Sequence, residues 1–140
     1  MTESRTSRSE PDAQAAPVRR FRDPDYRPLA ADLAGVRAGI DRIDDAIVRL
    51  LAERAMYVKD AARFKRDAFQ VSAPARQAQV FARVRALAEQ HNPAFNGGFE
   101  GLPDVVEAAY RALVAGYIAR EQTYFGHTEP VDPAPKEDPQ

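Results

Sequence analysis

The chain is expected to be all-α: a three-helix protomer with one long N-terminal helix, assembling as an intertwined helical homodimer. Three observations predict this. Apolar residues recur at helical spacing through the middle of the chain, β-branched alternation is absent, and the prolines fall between the apolar stripes.

Pro11, Pro17, Pro24 and Pro28 at one end, and Pro130, Pro133, Pro135 and Pro139 at the other, mark residues 1–28 and 126–140 as tails. Such segments bury too little apolar area to offset their conformational entropy, and they read as disordered or loosely docked. Arg19-Arg20-Phe21-Arg22 could be a basic docking patch, but Asp23 and Asp25 follow at once, which favours a solvated mixed-charge tail. The folded domain is expected over residues 29–125.

Within it, Val36, Ile40, Ile43, Ile47, Leu50, Tyr57, Ala61 and Phe64 keep a four-three spacing that Arg54 interrupts, with no proline from Leu29 to Arg66. This predicts a first helix of about 36 residues, roughly 54 Å long. A compact domain of about 100 residues has a radius of gyration near 13 Å. The helix therefore outruns its own fold, and a second copy, antiparallel or crossing, is the simplest cover for its stripe. Pro74 suits the first turn of a second helix, with Ser72 as its cap and Val80, Phe81, Val84 and Leu87 as its stripe. Asn96-Gly97-Gly98 is a turn. Pro103 opens a third helix, with Val106, Tyr110, Leu113, Val114, Tyr117, Tyr124 and Phe125 on one face.

Composition narrows the function. The absence of cysteine excludes a disulfide scaffold, a thiol nucleophile and a cysteine-ligated metal. With His91 and His127 as the only histidines, a multi-histidine centre is not expected, so no metal site is assigned. His91, near the end of the second helix, suits the negative end of the helix dipole. The net charge of −1 gives no general attraction to nucleic acid or acidic membranes. No apolar run reaches the roughly 18–20 residues of a membrane span, and the first thirty residues lack a secretory apolar stretch. A cytoplasmic location is the default expectation.

Two charges stand on apolar faces: Arg54 on the first helix and Glu121 on the third. A charge in a helical core costs several kcal/mol unless paired. One reading is a buried Arg54–Glu121 salt bridge that fixes register. The other is a polar pocket for an anionic ligand. On a continuous helix Lys65, eleven residues after Arg54, lies within about 20° of whole turns and roughly 16 Å away, so both line one face. Arg37 is about 25 Å before Arg54 and rotated by roughly 100°; it can share the pocket only from an antiparallel partner. Arg76, next to the connection at 69–74, can close the pocket from above. Three arginines and a lysine describe a receptor for a dicarboxylate, each carboxylate held by a bidentate guanidinium.

The run Leu33-Ala34-Gly35-Val36-Arg37-Ala38-Gly39-Ile40-Asp41-Arg42-Ile43-Asp44, then Leu51-Ala52-Glu53-Arg54, Phe64-Lys65 and Ala73-Pro74-Ala75-Arg76, resembles the all-α chorismate mutases. It is most like the branch that includes the isochorismate pyruvate lyases. The resemblance covers about Leu33 to Phe125 and leaves the tails unmatched. It implies Arg37 lent across the dimer to one carboxylate, Arg54 holding the other, Lys65 on the ether oxygen and a carboxylate, and Arg76 at the pocket mouth. Glu121 falls where many members carry a glutamine that donates to the ether oxygen. A one-residue shift would put Gln122 there, at the expense of the match around Tyr117. Val58, Val80 and Tyr117 would line the walls.

Ala73 and Ala75 depart from acidic residues that some mutases place around the substrate hydroxyl. The Lys65–Arg76 spacing is lyase-like, whereas Glu121 is mutase-like. The implied reaction is the pericyclic rearrangement of chorismate to prephenate, with no cofactor. Isochorismate pyruvate elimination in the same pocket and a non-catalytic helical dimer with a structural Arg–Glu pair are the alternatives. Glu121 can donate only when protonated, so the mutase reading expects activity to decline as pH rises through its titration.

Overall fold

A computed structural model describes residues 9–131, and they are helical wherever they are regular. The order is α1 (Leu33–Ala61), α2 (Ala68–Ser72), α3 (Pro74–His91) and α4 (Leu102–Phe125), with single 3-10 turns at Ala62–Phe64 and Asn92–Ala94. The three long helices expected from the sequence are α1, α3 and α4. Of the two expected tails, residues 1–8 and 132–140 lie outside the described residues.

α1 starts at Asp32, whose carboxylate accepts the Gly35 N–H at 2.9 Å, satisfying one of the donors a helix start leaves open. It runs 29 residues, about 44 Å, shorter than expected. The expected continuation to Arg66 fails for a local reason. Asp67 caps α2 by accepting the Gln70 N–H at 2.9 Å, while the Gln70 side chain accepts the Arg66 N–H at 2.7 Å. This capping-box-like pair demands extended backbone before it, and Lys65 and Asp67 are extended.

The expected cap of the second helix is also corrected. Ser72 ends α2, and Ala73 stands at the N-cap of α3 with φ 44°, left-handed and without a side-chain cap. Gln77 folds back over this junction and donates to the Ser72 carbonyl at 2.6 Å. Between α3 and α4, the Asn92 amide donates to the Phe99 carbonyl at 2.9 Å and accepts the Phe99 N–H at 2.7 Å. Gly98 is required there, with φ 104° and a Cβ position 3.2 Å from the Asn92 side chain.

α4 packs along α3 and crosses the C-terminal part of α1 and α2. The core among the described residues is small: Ala62, Val71, Val84, Ala88 and Val114. Tyr117 ties α4 to α1 by donating to the Leu51 carbonyl at 2.7 Å. No residue of α1 is buried, and its stripe stays open, with Ile40, Ile43, Ile47 and Leu50 about half exposed.

Candidate active site

The α1 end, the α2 turn, the start of α3 and the last half of α4 enclose a cavity of about 330 Å³, the size of a small-molecule site. Arg54, Lys65, Arg76 and Glu121 all line it, together with Val58, Val80 and Tyr117. Arg37, at the far end of α1, is exposed and is not part of this cavity.

The route by which Lys65 enters differs from the sequence argument. It is not a helical residue about three turns beyond Arg54. The 3-10 turn ends α1 and lets the extended backbone at Lys65 carry the ammonium back across the cavity. There its Nζ donates to Glu121 Oε2 at 3.1 Å. Glu121 is 5% exposed, the one buried charged side chain among the described residues. An ion pair so placed offsets the desolvation of its carboxylate only while both members are present.

The Arg54–Glu121 salt bridge considered from the sequence does not form: Glu121 pairs with Lys65. Arg54 instead lies over two rings of α4, its guanidinium carbon 5.2 Å from the Tyr117 centroid and 5.7 Å from that of Tyr110. Stacking on aromatic faces fixes the side chain while leaving its N–H groups available to an anion. Arg54, Arg76 and Arg37 make no ion pair among the described residues. The structure also separates Glu121 from Gln122. Gln122 points at α2, donating to the Ala68 carbonyl at 2.9 Å and meeting Ser72 Oγ at 3.4 Å, so the unshifted register puts the carboxyl in the cavity.

Sequence reasoning missed Tyr110 as a support for Arg54, and missed Ser72 and Gln77 as part of the wall. The Asp67–Gln70 capping pair was the available signal for the latter, since it announces a separate turn ahead of Pro74.

Fold and cavity together define an all-helical protein with a small, cation-rich pocket for an anionic molecule. Comparison with known proteins makes the class particular. The family model for chorismate mutase type II matches residues 36–122. A chorismate mutase of Methanocaldococcus jannaschii is 33% identical over 91 residues, which cover 64% of this chain and 91% of that protein. An isochorismate pyruvate lyase of Pseudomonas aeruginosa is 34% identical over 96 residues, covering 69% of this chain and 87% of that protein. The chain belongs to the chorismate mutase type II family.

Proposed function

We propose that the protein is a chorismate mutase, rearranging chorismate to prephenate in this cavity. The observation that carries the reading is the Lys65–Glu121 pair, a donor and a carboxyl at 3.1 Å inside a pocket that Arg54 and Arg76 also line. The rearrangement breaks the ether C–O bond and forms a C–C bond in one cyclic shift of electrons, with no nucleophile and no group transferred. The protein's part is to hold the reactive conformer and to stabilise charge growing on the ether oxygen. Arg54, seated on its two tyrosines, grips one carboxylate. Lys65, held beside the reacting centre by Glu121, donates to the ether oxygen as the bond lengthens. Arg76 closes the mouth.

The other carboxylate needs a further cation, and Arg37 of the partner subunit supplies it. Support for a dimer comes from α1. Ile40 is 52% exposed, Ile43 and Ile47 47% and Leu50 53%, an apolar seam that a lone chain leaves in water. An antiparallel copy covers this seam and brings its own Arg37 toward the cavity. A cytoplasmic location belongs to the same proposal; no described helix is long and apolar enough to cross a membrane.

A second reading, isochorismate pyruvate lyase, is favoured by the lyase-like spacing of Lys65 and Arg76 and by the similarity to the Pseudomonas aeruginosa lyase. The test is to incubate the purified protein separately with chorismate and isochorismate, near pH 5 and pH 8, and to identify products. Prephenate from chorismate is the expected result. Glu121→Gln should retain turnover, because an amide at that position can still donate to the ether oxygen. Salicylate and pyruvate from isochorismate, exceeding any mutase turnover, would transfer the assignment to the lyase. No turnover of either would return the Lys65–Glu121 pair to a purely structural role.

A further inference from the structure

The first two turns of α1 are weak by sequence. Gly35 and Gly39 stand there, and glycine gives up more conformational freedom in a helix than any other residue. Arg37 lies between them, exposed, in a stretch where helices ordinarily fray. A guanidinium that must meet a carboxylate in another subunit needs a fixed backbone beneath it.

We propose that residues 9–32 act as a strap that fixes this stretch and so positions Arg37 for the partner's cavity. The proposal rests on the reading above that Arg37 is lent across the dimer. The Ala13 carbonyl accepts the Ala34 N–H at 2.9 Å, a first-turn donor that otherwise has no partner in the helix. Residues 11–18 run beside Leu33 and Val36, the turn immediately before Arg37. The far end of the strap is held on the α3–α4 connection. The Arg27 N–H donates to Asn96 Oδ1 at 2.9 Å, and Asn96 Nδ2 donates to the Arg27 carbonyl at 2.7 Å. Phe21 meets Tyr26 edge-on, with centroids 4.8 Å apart.

Gly35 fits the same account. A Cβ there would sit 2.9 Å from the Ala30 Cβ, so the residue that weakens the helix is also what admits the strap. The family match begins at residue 36, so the strap lies outside the matched residues. Arg37 is then a substrate-binding residue, and Gly35 and Asn96 are positioning residues that act through it.

Two full-length variants release opposite ends of the strap. Gly35→Ala forces Ala30 away. Asn96→Asp keeps a residue that tolerates the φ of 54° at this position, but sets an oxygen against the Arg27 carbonyl. Trypsin reports release, because Arg19, Arg20 and Arg22 lie in the strap. Expected are several-fold faster cutting in these variants than in the wild type, KM raised about threefold or more, kcat within about twofold, and an unchanged sedimenting mass. In an Arg37→Ala background neither substitution should raise KM further, since the two act through one contact.

Faster cutting with an unchanged KM would overturn the proposal. So would a wild-type strap cut as fast as the variants, or a KM rise that persists without Arg37. If Arg37→Ala itself leaves KM untouched, the shared-site reading fails and takes the strap's role with it. If only the strap variants are silent, the shared site stands alone.

Discussion

The two halves of α1 carry one apolar stripe into different surroundings. From Leu51 onward its own chain engages part of it, although Tyr57 and Phe64 stay exposed: Tyr117 donates to the Leu51 carbonyl, Arg54 lies over Tyr110 and Tyr117, and Val58 and Ala61 form cavity wall. Before Leu51 the same spacing continues through Ile40, Ile43 and Ile47, yet these side chains remain about half exposed, and Arg37 is exposed with them. Periodicity therefore marks a face to be covered without saying by what. Where α4 crosses, the cover is internal. Elsewhere, in the proposed account, it is a second copy that also completes the site.

The sharpest way to test the finished half is Lys65→Ala. Loss of a charged donor to the developing oxyanion should cost about 3–4 kcal/mol, or on the order of a hundredfold or more in kcat/KM toward chorismate. A loss below about tenfold would contradict the role. Because the substitution strands Glu121 in a buried position, melting temperature should be followed alongside rates. The double change Lys65→Met with Glu121→Leu should leave stability neutral or raised while activity is lost; retained activity would mean that the pair is structural only.

The unfinished half is tested by Ile43→Glu. A carboxylate on the seam should weaken association by about 2–3 kcal/mol, so that activity per chain falls on dilution while a monomeric helical fold persists. Dilution-independent activity with an unchanged sedimenting mass would show that the seam is not the interface.

The smallest effect lies away from both halves. Glu107 is held below the ordinary carboxylate range, chiefly by its hydrogen bond from Arg111 and against some desolvation, with Arg85 nearby. A carboxyl with a depressed folded value contributes stability above its unfolded titration and loses it as pH falls through the folded one. Glu107→Gln should therefore lower the melting temperature slightly at pH 7, and the difference should close as pH falls below about 4.5. Equal differences at both pH values would assign the effect to shape rather than charge.

Much of this was legible in the sequence, for identifiable reasons. Pro74 and Pro103 mark helix starts because proline lacks the N–H that a first turn leaves open anyway, and both lie in the first turns of α3 and α4. Arg54 and Glu121 stood out as charges on apolar faces, and both line the cavity. The pairing of Glu121 with Lys65 was not legible. It depends on the chain leaving α1 at Ala62, where the residues remain good helix formers and the stop comes from the Asp67 cap and the burial of Ala62 and Val71. Once the chain turns there, Lys65 rather than Arg54 reaches the carboxyl. The strap was invisible for a different reason. Its anchor joins Arg27 to Asn96, far apart in a coil segment where no periodicity signals a contact.

Subunit mixing tests the shared site most directly. Arg37→Ala and Lys65→Ala chains, each nearly inactive alone, are mixed, allowed to exchange and assayed for loss of chorismate. If Arg37 serves the partner's cavity, half of the dimers formed contain one cavity with both residues intact, and activity should recover to about a quarter of wild type. No recovery, with exchange verified by mass, would place Arg37 in its own chain's site or in none and would contradict the account.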